Sequence, residues 1–402
     1  MQTLCIFGEQ GLSAWGLHLM GTTAHINRIA VGVPPHDVHH AFLSFAESLL
    51  LQNKSTEAVF RRMSARSGIQ HRYSCLQLMP DWETGPTLDA EGLYKRGHFA
   101  STAARMQVFE ARAPELAVAT IERLDIQDER DRITHLVITS CTGFFAPGLD
   151  LQIVEKFGLR TSIERTMLGF MGCSAAINGL KTARHIVRSE PEARVLVLNL
   201  ELCTLHLKET LNLEQLLCFL LFADGCAACL VTAEPKGIAL DSFRAVLVPH
   251  SRDLMAWNIR DLGFDMVLSG SVPRAIGDAL RGGAQQIIGD APVDSIDLWA
   301  VHPGGTSVLD AVEHAFELPA MALLPSREVL RQYGNMSSAT VMFVLEAMMR
   351  TAAPRNRGCA MAFGPGLIAE TMLFRTVGNM TFRTSLETVH QAAVLAPALS
   401  GS

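Results

Sequence analysis

A chain of 402 residues, 49% hydrophobic and 18% charged with a net charge of −6, is long enough for two domain-sized halves around a substantial core. The acidic balance and the lack of an aromatic-interleaved basic run exclude a nucleic-acid surface, and no apolar run reaches the roughly 18 residues of a membrane span. Nine cysteines without regular spacing argue for a reducing compartment, the cytoplasm, over a disulfide framework.

Residues 1–23, apolar but without a basic leader, read as an extension ahead of the fold. Residues 25–33 alternate like a strand stopped by Pro34-Pro35, and 37–51 form the helix it feeds. Residues 59–66 are a basic helical turn. Its ordinary reading is a solvated face, and its functional reading is a landing for a phosphorylated ligand. Residues 72–93, with Pro80, Gly85 and Pro86, are irregular, and 100–124 form an amphipathic helix expected to bend or break at Pro114. A buried strand at 133–140 runs into the loop 141–148, followed by a helix from Leu149 and a strand at 193–200. Residues 219–231 read as a strand pair turned at Asp224-Gly225. Cys226 and Cys229 there make a CxxC, but with no second pair or histidine cluster it reads as buried strand rather than as a zinc or redox site.

After Glu234-Pro235-Lys236-Gly237 the pattern starts afresh: strands to about Leu268, a helix at 272–288, a strand at 296–301, then helix and strand again to Thr376. Strands alternating with helices predict a layered α/β body, and the restart divides it into similar halves, 24–235 and 236–388. The Ala-rich end, 389–402, is expected to be a disordered tail.

Three loops share one design, in which an apolar stretch ends in a chemically able residue among small neighbours and a helix follows. The first is Gly169-Phe170-Met171-Gly172-Cys173-Ser174-Ala175, where a helix start favours a thiolate. The second is Val301-His302-Pro303-Gly304-Gly305 and the third Gly334-Asn335-Met336-Ser337-Ser338. Each has a plain alternative: free cysteines are commonly buried core, and an asparagine there caps a helix. Together they suit decarboxylative condensation of thioesters. Cys173 would hold an acyl group, while His302 and Asn335 would stabilise the enolate left as carbon dioxide departs.

With Phe363-Gly364-Pro365-Gly366, these motifs resemble those of the type III polyketide synthases, the chalcone-synthase-like enzymes, over residues 25–374. The resemblance implies a thiolase fold, five layers (αβαβα) from two similar halves, active as a homodimer. It implies Cys173 as acyl carrier with His302 and Asn335 as its partners, and coenzyme A thioesters as substrates without metal or organic cofactor. Phe222 and Phe264 correspond to gatekeeper positions, and Cys141, Thr142, Cys203 and His206 to the cavity lining, where bulky His206 narrows the pocket. Ala146 corresponds to a residue reaching into the neighbouring subunit. Trp257 and Arg260 lie where the family shapes cyclisation. Arg62 and Arg66 correspond to CoA-phosphate contacts, while Val59 replaces a third basic residue.

The phrases around Cys141 and Cys203 are similar to bacterial alkylresorcinol and alkylpyrone synthases, which implies a long-chain acyl starter extended by malonyl-CoA and closed to a resorcinol or pyrone. A single-round condensing enzyme, a synthase using short or aromatic starters, and a non-catalytic acyl-CoA-binding partner subunit stay open at this point.

Overall fold

The computed structural model describes residues 21–378. In chain order the main strands are β1 (His25–Gly32), β2 (His135–Ser140), β3 (Glu164–Gly169), β4 (Val195–Leu202), β5 (Asp224–Thr232), β6 (Gly237–Leu247), β7 (Leu298–Val301), β8 (Arg357–Gly364) and β9 (Ile368–Val377). They form one nine-stranded sheet in the order β7-β8-β9-β6-β1-β5-β4-β2-β3. Only His25 opposite Ala239 and Ile26 opposite Ile238 join β1 to β6, so the sheet consists of two sub-sheets on a narrow joint.

The helices are α1 (His39–Leu50), α2 (Lys54–Arg66), α3 (Thr102–Arg123), α4 (Leu149–Phe157), α5 (Ala175–Ser189), α6 (Leu213–Leu221), α7 (Val272–Ile288), α8 (Thr306–Ala315), α9 (Leu324–Tyr333) and α10 (Thr340–Thr351). Strands β2, β3 and β4 run parallel, which requires helical crossovers, supplied by α4 and α5. Because both faces of β2 and β4 are covered, these two read as largely apolar runs, yet their side chains still alternate, while the edge strand β3 is mostly exposed. In β2, Leu136 and Ile138 pack with Phe109, Ala117 and Ile121 of α3 and Ile153 of α4. Val137 points the other way, to Ile177 and Leu180 of α5, in a core that also holds Val341 and Leu345 of α10 and Ala360 and Met372 of the second sub-sheet. The far face of that sub-sheet packs Trp299, Val301 and Met361 on Ile276 and Leu280 of α7 and Leu309 of α8. The sequence of layers is therefore α3/α4, sub-sheet, α5/α10, sub-sheet, α7/α8, the five expected. Leu180 and Val341, at 0% exposure, each contribute roughly 1.5–3 kcal/mol by burial.

Two local expectations change. The stretch 219–231 is not a strand pair: α6 ends at Leu221 and a single strand, β5, starts at Asp224. Asp224 makes no turn, because its buried carboxylate accepts hydrogen bonds from the Cys75 and Thr204 amides and the Thr204 hydroxyl. Helix α3 runs through Pro114 unbroken. Cys226 and Cys229 lie on β5 as expected, three residues apart and therefore on opposite faces, one in each of the cores flanking the first sub-sheet. Residues 1–20 and 379–402, with most of the proposed extension and the whole tail, lie outside the described residues.

Candidate active site

Strand β3 delivers the chain to Gly172, whose φ of 63° only glycine adopts without strain; a side chain there would also strike the Pro365 ring. Pro365 opens the turn after β8, so the end of that strand and its turn, Phe363–Gly366, are packed on the turn bearing Cys173. The turn, Gly172–Ser174, is a short 3-10 segment that runs into α5 and places Cys173 at the helix start, 6% exposed. His302 follows β7, its amide donating to the Met361 carbonyl at 2.7 Å. Asn335 follows α9. Its Oδ1 accepts from the Ser337 amide at 2.9 Å and its Nδ2 donates to the Gly304 carbonyl at 3.3 Å, which fixes the orientation of the amide.

The structure brings the three together. Cys173, His302, Asn335, Phe222 and Phe363 line one cavity of about 700 Å3 that opens between Met63, Arg66 and Arg274. A second chamber of only about 50 Å3 lies behind Cys173 and Phe222, walled by Cys141, Thr142, Cys203, His206, Trp257, Phe264 and Pro365. Cys173 stands at the junction of the two. Gly364 lies against Ser174 behind the Cys173 turn rather than on a chamber wall, and Gly366 is on the same loop. Ala146 is exposed and lines neither chamber, and Arg260 is exposed at the end of a hairpin formed by Met255–Arg260 and Gly263–Leu268. Of the basic residues, Arg66 is at the mouth. Arg62 is exposed on the same helix outside it. Arg61 is engaged by Glu47 and Glu57, whereas Arg62 and Arg66 have no ion pair among the described residues.

Burial sets the protonation states. It pushes the Cys173 thiol up to about 12, overriding the helix-start effect expected from the sequence, although the Ser337 and Asn335 side chains act in the opposite direction. It lowers the His302 imidazole to about 3, and both ring nitrogens are buried without a protein partner. The unliganded site thus holds a neutral thiol and a neutral imidazole. Ionising either alone would bury a bare charge.

His206 is a wall, not an acid. Its Nε2–H donates to the Thr142 carbonyl at 2.7 Å and its Nδ1 accepts from the Phe264 amide at 3.0 Å, so burial and bonding together hold it neutral, its pKa lowered to about 3. The ring stacks on Phe264 at 4.1 Å and meets Trp257 edge-on at 5.4 Å, and Trp257 Nε1 donates to the Cys141 carbonyl at 2.7 Å.

Sequence reasoning missed Glu201. Fully buried on β4, it accepts from the Ser338 hydroxyl at 2.6 Å and from the Cys141 amide and Thr142 hydroxyl at 2.9 Å each. Burial raises its carboxyl to about 7, against those hydrogen bonds. The available signal was an acid in the leucine-rich strand Leu198-Asn199-Leu200-Glu201-Leu202, which is rarely tolerated without partners. Among the described residues no cluster of three or more His, Cys, Asp or Glu is disposed to hold a metal ion.

The chain matches the N-terminal domain of the chalcone and stilbene synthases over residues 22–235 and their C-terminal domain over 239–378. It is 31% identical over 367 residues to "Alpha-pyrone synthesis polyketide synthase-like Pks18" of Mycobacterium tuberculosis, covering 88% of this chain and 91% of the relative. It is 32% identical over 343 residues to the bisdemethoxycurcumin synthase of Oryza sativa subsp. japonica, covering 80% and 84%. Among solved structures, PKS-I of the brown alga Ectocarpus siliculosus superposes with a TM-score of 0.79 at 28% identity, over 89% of this chain and 99% of that one. The C-terminal type III polyketide synthase domain of Steely1, a type I/III hybrid from Dictyostelium, gives the same TM-score at 25% identity, over 89% and 100%. Two domain matches in tandem and one shared architecture place this chain in the chalcone and stilbene synthase family, as a type III polyketide synthase of thiolase fold and an acyltransferase-class enzyme.

Proposed function

We propose that the chain condenses an acyl-CoA starter, of the long-chain fatty acyl class, with malonyl-CoA and closes the product to an alkylpyrone or alkylresorcinol. The observation that carries this is the position of Cys173 at the junction of a large chamber, shared with His302 and Asn335, and a much smaller one walled by His206, Trp257 and Phe264. CoA enters by the large chamber with its phosphates toward Arg66 and Arg62. The Cys173 sulfur attacks the starter carbonyl, His302 takes its proton, and that proton leaves with the CoA thiol. Malonyl-CoA then loses carbon dioxide, and the electron pair of the broken bond becomes an enolate whose oxygen accepts from His302 and Asn335 Nδ2. Its carbon attacks the Cys173 thioester, returning the thiolate and a chain longer by two carbons.

The pyrone ending gains support from the relative named for alpha-pyrone synthesis. The inner chamber, at about 50 Å3 room for only a few atoms, favours few rounds of extension and keeps a one-round product as the second reading. As partner we propose a second copy of the chain. Strand β3 is an unpaired sheet edge, and Phe144, Met167 and Met171 beside it are 37%, 37% and 38% exposed, an apolar edge of the kind a copy covers. Light scattering of the purified protein tests the dimer, and a monomer at micromolar concentration refutes it.

The test of function is liquid chromatography–mass spectrometry of products from malonyl-CoA with short, aromatic and long-chain acyl-CoA starters. Pyrones or resorcinols favouring long chains are expected. Products from only short or aromatic starters overturn the starter assignment, and no product with an unacylated Cys173 overturns the enzymatic reading.

A further inference from the structure

Arg105, in the first turn of α3, is fully buried and has no carboxylate within ion-pair distance among the described residues. A guanidinium in that position is expensive unless its donors have fixed acceptors, and here the acceptors are backbone carbonyls. Nη1 donates to the Leu205 carbonyl at 2.6 Å and to the Leu207 carbonyl at 2.9 Å, the two that bracket His206, while Nε donates to the Ala100 carbonyl at 2.9 Å. The guanidinium lies 5.3 Å from the Tyr94 ring, whose hydroxyl donates to the carbonyl of Thr204 in the same loop.

The same helix turn holds the hairpin that supplies the rest of the wall. The Thr102 amide donates to the Asp261 carbonyl at 2.7 Å, and the Thr102 hydroxyl accepts from the Gly263 amide at 2.8 Å. Gly263, with φ of 98°, rests directly on Arg105: a Cβ added there would lie 3.1 Å from the guanidinium carbon. Its neighbour Phe264 donates to His206. Neither Arg105 nor Thr102 reaches either chamber.

We infer that Arg105 is a positioning residue that sets the rear wall of the inner chamber, clamping the His206 loop against the Phe264 hairpin and thereby fixing how many malonyl units are added before the chain is released. The inference rests on the polyketide-forming reading above. It predicts a change in product length that a merely structural role would not produce, because Cys173 is also reached from the large chamber, which neither His206 nor Phe264 lines.

Arg105→Lys keeps the charge but loses the planar fork by which Nη1 holds the Leu205 and Leu207 carbonyls while Nε holds that of Ala100. In that variant Cys173 acylation by a given starter is expected to stay within about threefold of wild type, while the products shift by at least one malonyl unit and broaden in distribution. A folded variant with unchanged product lengths, or one that loses acylation and extension in equal proportion, overturns the inference. If Arg105→Lys does not fold, Thr102→Val removes the hydroxyl that holds the Gly263 amide, loosening the hairpin while the guanidinium stays in place; the same broadening is expected, and unchanged products overturn the inference. The wall is also read without turnover, from the Trp257 resonance in 5-fluorotryptophan-labelled protein. A shift of that resonance in Arg105→Lys is expected and its constancy refutes the clamp, so failure of the wild type to make polyketide would remove the functional reading alone.

Discussion

Phe222 and Asn335, far apart in the chain, are locked together through the backbone. The Asn335 amide donates to the Leu221 carbonyl at 2.7 Å and the Ala223 amide donates to the Asn335 carbonyl at 2.9 Å, a one-residue parallel bridge around Phe222. The aromatic ring between the two chambers and the amide that faces the large one thus belong to one rigid unit. Because backbone groups hold that unit, Phe222→Ala widens the passage without moving Asn335. Malonyl-CoA decarboxylation is expected within about threefold of wild type in Phe222→Ala, whereas Asn335→Ala loses about 100-fold. Carbon dioxide release measured on both variants decides it, and equal losses would disprove the separation.

In the proposed reaction, proton transfer to His302 is what would turn a thiol pushed up to about 12 into a nucleophile near neutral pH. In His302→Phe that acceptor is gone. Alkylation of Cys173 by iodoacetamide at pH 7 is expected to slow at least about tenfold, with the midpoint of its pH profile moved upward. Equal rates in the two proteins would take His302 out of thiol activation.

Glu201 links stability to pH. Its folded-state pKa, about 7, is raised above the ordinary carboxyl value, so the neutral form favours the folded chain. That contribution is complete below about pH 4.5 and is lost as pH rises through 7, a difference of about 3 kcal/mol. Other buried groups titrate in the same range, so the observable is the difference between proteins. Relative to wild type, Glu201→Gln gains stability between pH 5 and pH 8, as calorimetry across that range will show. A difference that does not vary with pH would mean that Glu201 is ionised in the folded chain.

Replacing His206 by alanine removes the ring that fills the rear of the inner chamber and leaves the Phe264 amide and Thr142 carbonyl without their partner. The expected outcome is a loss of about 1–3 kcal/mol in thermal or denaturant unfolding, together with products carrying additional malonyl units. Products of wild-type length from a folded variant would show that the chamber does not limit extension.

The parts legible in sequence were those written locally. Cys173, His302 and Asn335 each close a stretch whose periodicity changes within a few residues, and the bounds of α7 follow from Ser271-Val272-Pro273 at one end and Gly289 at the other. What stayed hidden depends on partners distant in the chain. Asp224 looked like a turn residue because nothing nearby reveals that Cys75 and Thr204 donate to it. Arg72 lay in a stretch read as irregular, yet it is wholly buried, its Nε donating to His39 at 2.9 Å and its Nη1 to the carbonyls of Phe219 and Phe222. Glu201 and Arg105 are of the same kind. Each is a polar residue whose reason for burial comes from other segments, where no periodicity records it.

The narrow joint at His25 and Ile26 divides the sheet so that Cys173 follows a strand of one sub-sheet and His302 a strand of the other. Chemistry is therefore a property of assembly. Residues 24–235 contain the thiol but neither the imidazole nor the amide that share its cavity. The cavity that holds Cys173, His302 and Asn335 exists only where the two halves meet, so in the proposed reaction a chain cut short after the first half keeps the sulfur and is expected to condense nothing.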